Sequence, residues 1–296
     1  MDAMRVAVVG PGAIGATYAA AVEEAGHEVV LCGRRAAPAP VVVREDGSEH
    51  RLASDVRADP AVAGEPVAWV LLAVKAHQTA GAAAWLHALC DSGTTVAVLQ
   101  NGVEHRALVG PLAGEATILP TVVWCPSEAV APGRVQQRGE ARLSVPDEPA
   151  GAALAALFAG GSATVDVVAD FTTEAWRKLT TNAVAGLLPI TRRRIEVLSA
   201  DGMHEVGLAL ARECVAVARA EGARLGDDDA VEIVERLVDM PPDMGTSILF
   251  DRLAGRPMEW DARNGVVRRA GARHGIATPI SDVLVALLAA LDEAPA

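Results

Sequence analysis

The sequence predicts an α/β N-terminal domain built on a doubly wound parallel sheet, followed by an all-α C-terminal domain. Three observations carry this. Short β-branched apolar runs alternate with helix-forming segments through the N-terminal half. The first such run passes directly into a glycine-rich turn and then a helix. After about residue 170, strand-like runs almost vanish. Alternating strands and helices imply parallel strands joined by helical crossovers, with helices on both faces of the sheet.

Taken in order, Arg5 to Val9 is a β-branched run ended by Gly10 and reads as a buried parallel strand. Ala13 to Ala25 carries helix formers and stops at Gly26. Glu28 to Leu31 is the next strand, which completes one βαβ unit. Ala68 to Val74 predicts a strand, Gln78 to Cys90 a helix, and Thr94 to Leu99 a buried strand ending in Gln100-Asn101-Gly102. Ala116 to Val123 predicts one further strand. Gly133 to Val145 has turn residues and alternation, as an antiparallel hairpin would. Thr164 to Val168 is the last strand. Helices are expected over Thr172 to Leu187, His204 to Glu221, Asp228 to Val238, Trp260 to His274 and Ser281 to Leu291.

The 296 residues suffice for two domains, and 51% of them are hydrophobic. The formal charge of −12 argues against non-specific binding to nucleic acid or to an anionic membrane. Cys32, Cys90, Cys125 and Cys214 are widely spaced, so neither a disulfide framework nor a zinc site is expected. No His/Cys/Asp cluster has ligand spacing, so no metal is implied. The apolar run at Arg5 to Gly10 leads into a glycine turn rather than a cleavage site, and Ala150 to Ala159 is too short to span a bilayer. A cytoplasmic protein is expected.

Gly10-Pro11-Gly12-Ala13-Ile14-Gly15 fits G-x-G-x-x-G. The first glycine makes the tight turn and the second lets backbone approach a pyrophosphate. The third lets helix and strand pack closely. The phosphates would sit at the helix N-terminus, whose unpaired N–H groups and dipole favour negative charge. The motif is weak alone, but here it follows a strand and opens a helix within a βαβ unit. Where an NAD-binding chain places Asp or Glu at the end of the second strand, this one has Arg34 and Arg35. A guanidinium suits a 2′-phosphate, so NADPH is preferred over NADH. The domain boundary is placed near Asp170, giving a 1–169 NADP-binding Rossmann domain and a 170–296 helical substrate and dimerisation domain.

Ordered motifs over the full length add a resemblance. They are the glycine loop, Val74-Lys75-x-x-Gln78, Leu99-Gln100-Asn101-Gly102-Val103, Trp176-Arg177-Lys178-Leu179-x-x-Asn182 and Thr246-Ser247. Gly255-Arg256-Pro257-x-Glu259-x-Asp261-x-x-Asn264-Gly265 and Gly275-Ile276-x-Thr278-Pro279 follow. The chain resembles the ketopantoate reductase family (2-dehydropantoate 2-reductases), whose helical domain is 6-phosphogluconate dehydrogenase C-terminal-like. The resemblance implies transfer of hydride from NADPH to the ketone carbon of an α-keto acid. It assigns Lys178 to the ketone oxygen as proton donor, with Glu259 supporting it. It also assigns Ser247 to the substrate carboxylate and Asn182 to the substrate's polar groups. Lys75, Gln78 and Asn101 are placed on the cofactor side, with Gly10, Gly12, Ala13, Ile14, Gly15 and Arg34.

The chemistry is coherent on its own terms. Hydride arriving at a carbonyl leaves charge on oxygen, which a positioned ammonium stabilises and then protonates. Lys178 and Asn182 are four apart and share a helix face. A nearby carboxylate favours the charged lysine. Plainer roles stay open: Ser247 as a helix N-cap, Glu259 as a helix-start carboxylate and Asn101 as a turn residue before Gly102.

The chain departs from the pattern at Gly186, where the family usually has a second asparagine. Lys178, Asn182 and residue 186 would form one helical stripe with its last rung empty. Either a bulkier substrate fills that gap, or the glycine permits close backbone packing. Met258, Gln137 and Arg192-Arg193-Arg194 also depart. Ketopantoate reduction in the route to pantothenate and coenzyme A is the leading reading. The alternatives are a relative reducing another 2-keto acid or ketone, a non-catalytic NADP(H)-binding module, and a methyltransferase. The arginine pair speaks against the methyltransferase. The apolar faces of the C-terminal helices leave room for a homodimer.

Overall fold

A computed structural model describes residues 2–293. The chain forms two compact units. One comprises the residues up to Gln100 together with Glu104–Phe171, and the other Asn101–Val103 with Thr172 onward.

The first unit runs β1 (Arg5–Val9), α1 (Ala13–Glu24), β2 (Glu28–Cys32), β3 (Val41–Val43), β4 (Glu49–Arg51), β5 (Trp69–Leu72), α2 (Ala83–Leu89) and β6 (Thr95–Val98). It continues through α3 (His105–Val109), β7 (Thr117–Pro120), β8 (Val122–Trp124), β9 (Ser127–Ala131), β10 (Arg134–Gln137), β11 (Ala141–Pro146), α4 (Pro149–Leu157) and β12 (Ala163–Val168). Five strands make a parallel sheet in the order β2-β1-β5-β6-β7. Alternation splits each strand between two cores. Val6, Val8, Leu31 and Leu71 pack with Ala16, Ala19 and Ala20 of α1. Ala7, Val9, Val70 and Leu72 pack with Trp85, Leu86 and Leu89 of α2 on the other face. Burial on both faces explains why the strands read as continuous apolar runs.

Several expected elements shift. Ala116 to Val123 is two strands rather than one. Thr121 separates them, donating its hydroxyl to the Val98 carbonyl at 2.7 Å. β7 stays in the parallel sheet, while β8 passes into a three-stranded sheet ordered β12-β11-β8. Only the start of the Gly133–Val145 stretch is a hairpin strand: β10 pairs antiparallel with β9, and β11 pairs with β8 and β12 instead. The helix expected from Gln78 begins as a 3₁₀ stretch, Ala76–Ala82, before α2. β3 and β4 complete a sheet ordered β4-β3-β10-β9. At three residues each they are too short to reveal alternation.

The second unit contains α5 from Thr172 onward (the helix spans Phe171–Val184), α6 (Leu187–Thr191), α7 (Met203–Ala220), α8 (Asp227–Val238), α9 (Ser247–Leu253), α10 (Val266–His274) and α11 (Pro279–Glu293). Its core joins Trp176, Leu179, Leu210, Cys214, Val234, Ile248, Val267 and Leu288. The helix expected to reach Leu187 ends at Val184, and Gly186 stands at the N-cap of α6. The expected Trp260–His274 helix is present without a gap, but its first turn, Asp261–Gly265, is a wide π-type turn that runs directly into α10.

Candidate active site

In the first unit, the Gly10 N–H donates to the Cys32 carbonyl at 2.8 Å, so the glycine loop lies against the end of β2. Gly10 has φ +94°, and a β-carbon there would lie 2.6 Å from the Val74 nitrogen. One on Gly15 would lie 2.2 Å from the Gly10 carbonyl oxygen. Packing therefore demands both glycines. Gly12 differs: it is exposed at the N-cap of α1, and a β-carbon there would meet nothing within 4 Å. What the glycine provides there is access to the backbone. Ala13 and Ile14 open a helix with no acidic residue in its first turn, which suits an anion.

Arg34 is exposed two residues beyond Cys32, within the same strand-end region as the loop. Lys75 precedes the 3₁₀ stretch, and its carbonyl accepts from the Gln78 N–H at 2.7 Å. Gln100, to which neither the motif nor the resemblance assigns a role, is buried and holds this loop. Its Nε2 donates to the Val74 carbonyl at 3.0 Å and to the Thr79 hydroxyl at 2.9 Å. A cavity of about 370 Å³ beside the loop is lined by Pro11, Gly12, Pro40, Pro132, Arg134 and Val135.

The second unit brings the polar residues together. Lys178 and Asn182 lie one turn apart on α5, both half-buried. Asn182 Nδ2 donates to Asn101 Oδ1 at 3.2 Å, and Asn101 Nδ2 donates to Glu259 Oε2 at 3.1 Å. Asn101 thus links α5 to the buried Glu259. The linkage requires Asn101–Val103 to lie within this unit, which its position in the chain does not suggest. Gly102, at φ +111°, allows the close passage: a β-carbon would lie 3.2 Å from the Ala262 carbonyl oxygen.

Ser247 joins a different partner. It is the first helical residue of α9, with Thr246 at the N-cap position, so capping is not its role. Its hydroxyl accepts from Arg263 Nη2 at 2.9 Å. Arg263 lies in the π-type turn and is only 2% exposed. Burial pulls its pKa down, opposed by the charges of Glu259 and Asp251. Such turns widen a helix and recur at functional sites. Here the turn places Arg263 and Asn264 in successive buried positions.

Asn264 resolves the departure at Gly186. Its Nδ2 donates to the Ala183 carbonyl at 3.0 Å. A β-carbon on Gly186 would lie 2.7 Å from Asn264 Oδ1 and 3.1 Å from its Nδ2. The space beside the glycine is occupied by a side chain of the protein, so it is neither an empty rung nor room for substrate.

The Ketopantoate reductase PanE/ApbA family model matches residues 6–149, and the corresponding C-terminal model matches residues 170–292. This chain belongs to the ketopantoate reductase family. A 2-dehydropantoate 2-reductase of Mycobacterium tuberculosis is 47% identical over 294 residues, covering 99% of each chain. A PanE/ApbA family ketopantoate reductase structure from Ralstonia eutropha superposes with TM-score 0.88 at 32% identity, covering 98% of this chain and 99% of that one. A dimeric ketopantoate reductase from Staphylococcus aureus gives TM-score 0.89 at 21% identity, over 98% and 99% of the two chains, and shows the shared fold.

Ketopantoate reductases use NADPH. The glycine loop of this family member fits that group: its one open glycine lies at a helix N-terminus, and a cation follows the adjacent strand end. Among the described residues, no helix is long and apolar enough to cross a membrane, and no group of three or more His, Cys, Asp or Glu could hold a metal.

Proposed function

We propose that this chain reduces 2-dehydropantoate (ketopantoate) to pantoate with NADPH, the step that feeds pantothenate and coenzyme A synthesis, in the cytoplasm and as a homodimer. The hydrogen-bonded chain Asn182–Asn101–Glu259, one helical turn from Lys178, carries the reading in a family member this close to its relatives. Bound NADPH would supply the hydride that reaches the ketone carbon.

The protein's own residues would hold the cofactor and handle the oxygen. Gly10, Gly12, Ala13, Ile14 and Gly15 offer backbone to the pyrophosphate, and Arg34 offers a cation to the 2′-phosphate. Lys75 and Gln78 line the same unit's loop. Lys178 hydrogen-bonds the ketone oxygen, stabilises the charge growing there, and gives it a proton. Glu259 supports that lysine, and through Asn101 it also fixes the orientation of the Asn182 amide. Ser247 takes the substrate carboxylate.

A second reading, reduction of a different 2-keto acid, drew on the expected gap at Gly186. Asn264 fills that space, which removes the motive for it. The deciding experiment follows NADPH oxidation with ketopantoate beside a panel of other 2-keto acids, with Lys178→Ala as control. Preferred turnover of ketopantoate, reduced by about 10²–10⁴-fold in the variant, is expected. Turnover of another keto acid alone would move the function to a relative. Tight NADPH binding without turnover of any carbonyl would overturn the enzymatic reading.

A further inference from the structure

We propose that Arg263 is a positioning residue for the substrate carboxylate. It commits the Ser247 hydroxyl to donating and sets a buried positive charge behind it. The proposal rests on the reading of Ser247 given above, and deepens it.

A serine hydroxyl can donate once and accept twice. Arg263 Nη2 already donates to Ser247 Oγ, so one acceptor site of the hydroxyl is occupied by a cation. The hydroxyl proton is thereby turned away from the guanidinium. Ser247 is exposed on the side that Arg263 does not cover, so the O–H is presented outward as a donor. An anionic group is the partner such a donor suits, and a cation directly behind the donor strengthens the bond.

Arg263 is poorly explained as a packing residue. It is 2% exposed, and its Nε makes no hydrogen bond among the described residues. Among the described residues its hydrogen-bond partner is Ser247, and the charges of Glu259 and Asp251 also act on it. Asp251 is itself engaged by Arg256 at 3.0 Å. Burying a guanidinium on so few contacts is costly, and an apolar residue of similar volume would pack there more favourably. The motif Glu259-x-Asp261-x-x-Asn264-Gly265 leaves position 263 open, so the resemblance assigns the arginine no role. It also lies one residue from Asn264, whose side chain occupies the place beside Gly186.

The test compares Arg263→Met and Arg263→Lys with the wild type on two substrates, ketopantoate and its uncharged lactone. A lost hydrogen bond to a charged group corresponds to roughly 10–100-fold in affinity. Arg263→Met should raise KM for the keto acid by about that factor while changing KM for the lactone by less than about threefold. Arg263→Lys should recover part of the loss, and NADPH affinity should stay at the wild-type level. Combining Arg263→Met with Ser247→Ala should add little to Ser247→Ala alone. Equal losses on acid and lactone, or no loss on either, would overturn the proposal. If Arg263→Met fails to fold, the Arg263→Lys comparison of acid and lactone decides alone. If the wild type reduces no 2-keto acid, the functional reading fails, and calorimetric binding of pantoate against pantolactone to NADP-loaded wild type and Arg263→Lys reads the arginine separately. Selective weakening of pantoate supports it, and equal binding overturns it.

Discussion

Asn264 stands against Gly186, with its Oδ1 2.7 Å from where a β-carbon on that glycine would lie. The amide is held there by its bond to the Ala183 carbonyl, and its Oδ1 has no hydrogen-bond partner among the described residues. The glycine is therefore a packing requirement of the asparagine.

Gly186→Ala should destabilise the protein by about 1–3 kcal/mol, the usual range for forcing extra atoms into a packed site. Restoring the family residue with Gly186→Asn should do at least as much harm and not raise activity. Chemical denaturation measures the cost. In a cycle with Asn264→Ala, the double variant should lose less than the two single losses combined, because the clash needs both side chains. Strict additivity would show that the two do not meet.

Asn101 is the link of the polar chain, and it can be tested against its neighbours. Asn101→Ala breaks the bonds to Asn182 and Glu259 together. With each bond contributing about 1 kcal/mol, kcat/KM should fall roughly 10–100-fold. Adding Asn182→Ala should cost little more, since the amide has already lost its anchor. An Asn101→Ala variant with wild-type kinetics would return the residue to a simple turn role.

The two kinds of glycine in the loop should part under the same substitution. Gly15→Ala places a methyl 2.2 Å from the Gly10 carbonyl oxygen, and should lower stability by about 1–3 kcal/mol or more. Gly12→Ala meets no protein atom within 4 Å, so it should melt like the wild type yet bind NADPH at least about tenfold more weakly. Arg34→Ala should lower the NADPH-over-NADH preference by roughly 10–100-fold, as expected for a charge-assisted bond. Calorimetry with each nucleotide reads both effects. An unchanged preference would assign the 2′-phosphate to another cation.

Asp229 offers a prediction in pH. Its Oδ2 accepts from the Gly226 N–H at 2.6 Å at the start of α8, and Arg177 bonds its other oxygen. The backbone bond and then the arginine hold its carboxyl below the usual value. A carboxylate with a depressed folded pKa stabilises above its unfolded pKa, near 3.9 for aspartate, and loses that contribution as pH falls through the lower folded value. Asp229→Ala should cost about 0.5–2 kcal/mol at neutral pH, with the gap to the wild type closing on acidification. Melting curves across the acid range measure this. A constant gap would assign the loss to packing.

Local patterns stated most of this architecture in advance. The β1-turn-α1-β2 unit, the apolar strands of the parallel sheet and the one-turn spacing of Lys178 and Asn182 are all legible, because they depend on residues within a few positions of each other. The break between β7 and β8 is not, since Thr121 finds its partner at Val98 in another strand. β3 and β4 are also hidden, because three residues cannot show a period.

By itself, the sequence determined the fold class, the glycine loop with the cation that follows it, and the residue types of the site. Each is written in short-range spacing, where sterics and periodicity act along the chain. Only the tertiary structure decided that Asn101 joins Asn182 to Glu259, that Arg263 backs Ser247, and that Asn264 fills the place beside Gly186. Those pairs lie beyond the reach of helix or strand periodicity, 16 residues apart for Ser247 and Arg263 and 81 or more for the bonds of Asn101, and burial and hydrogen bonding select them only once the helices have packed.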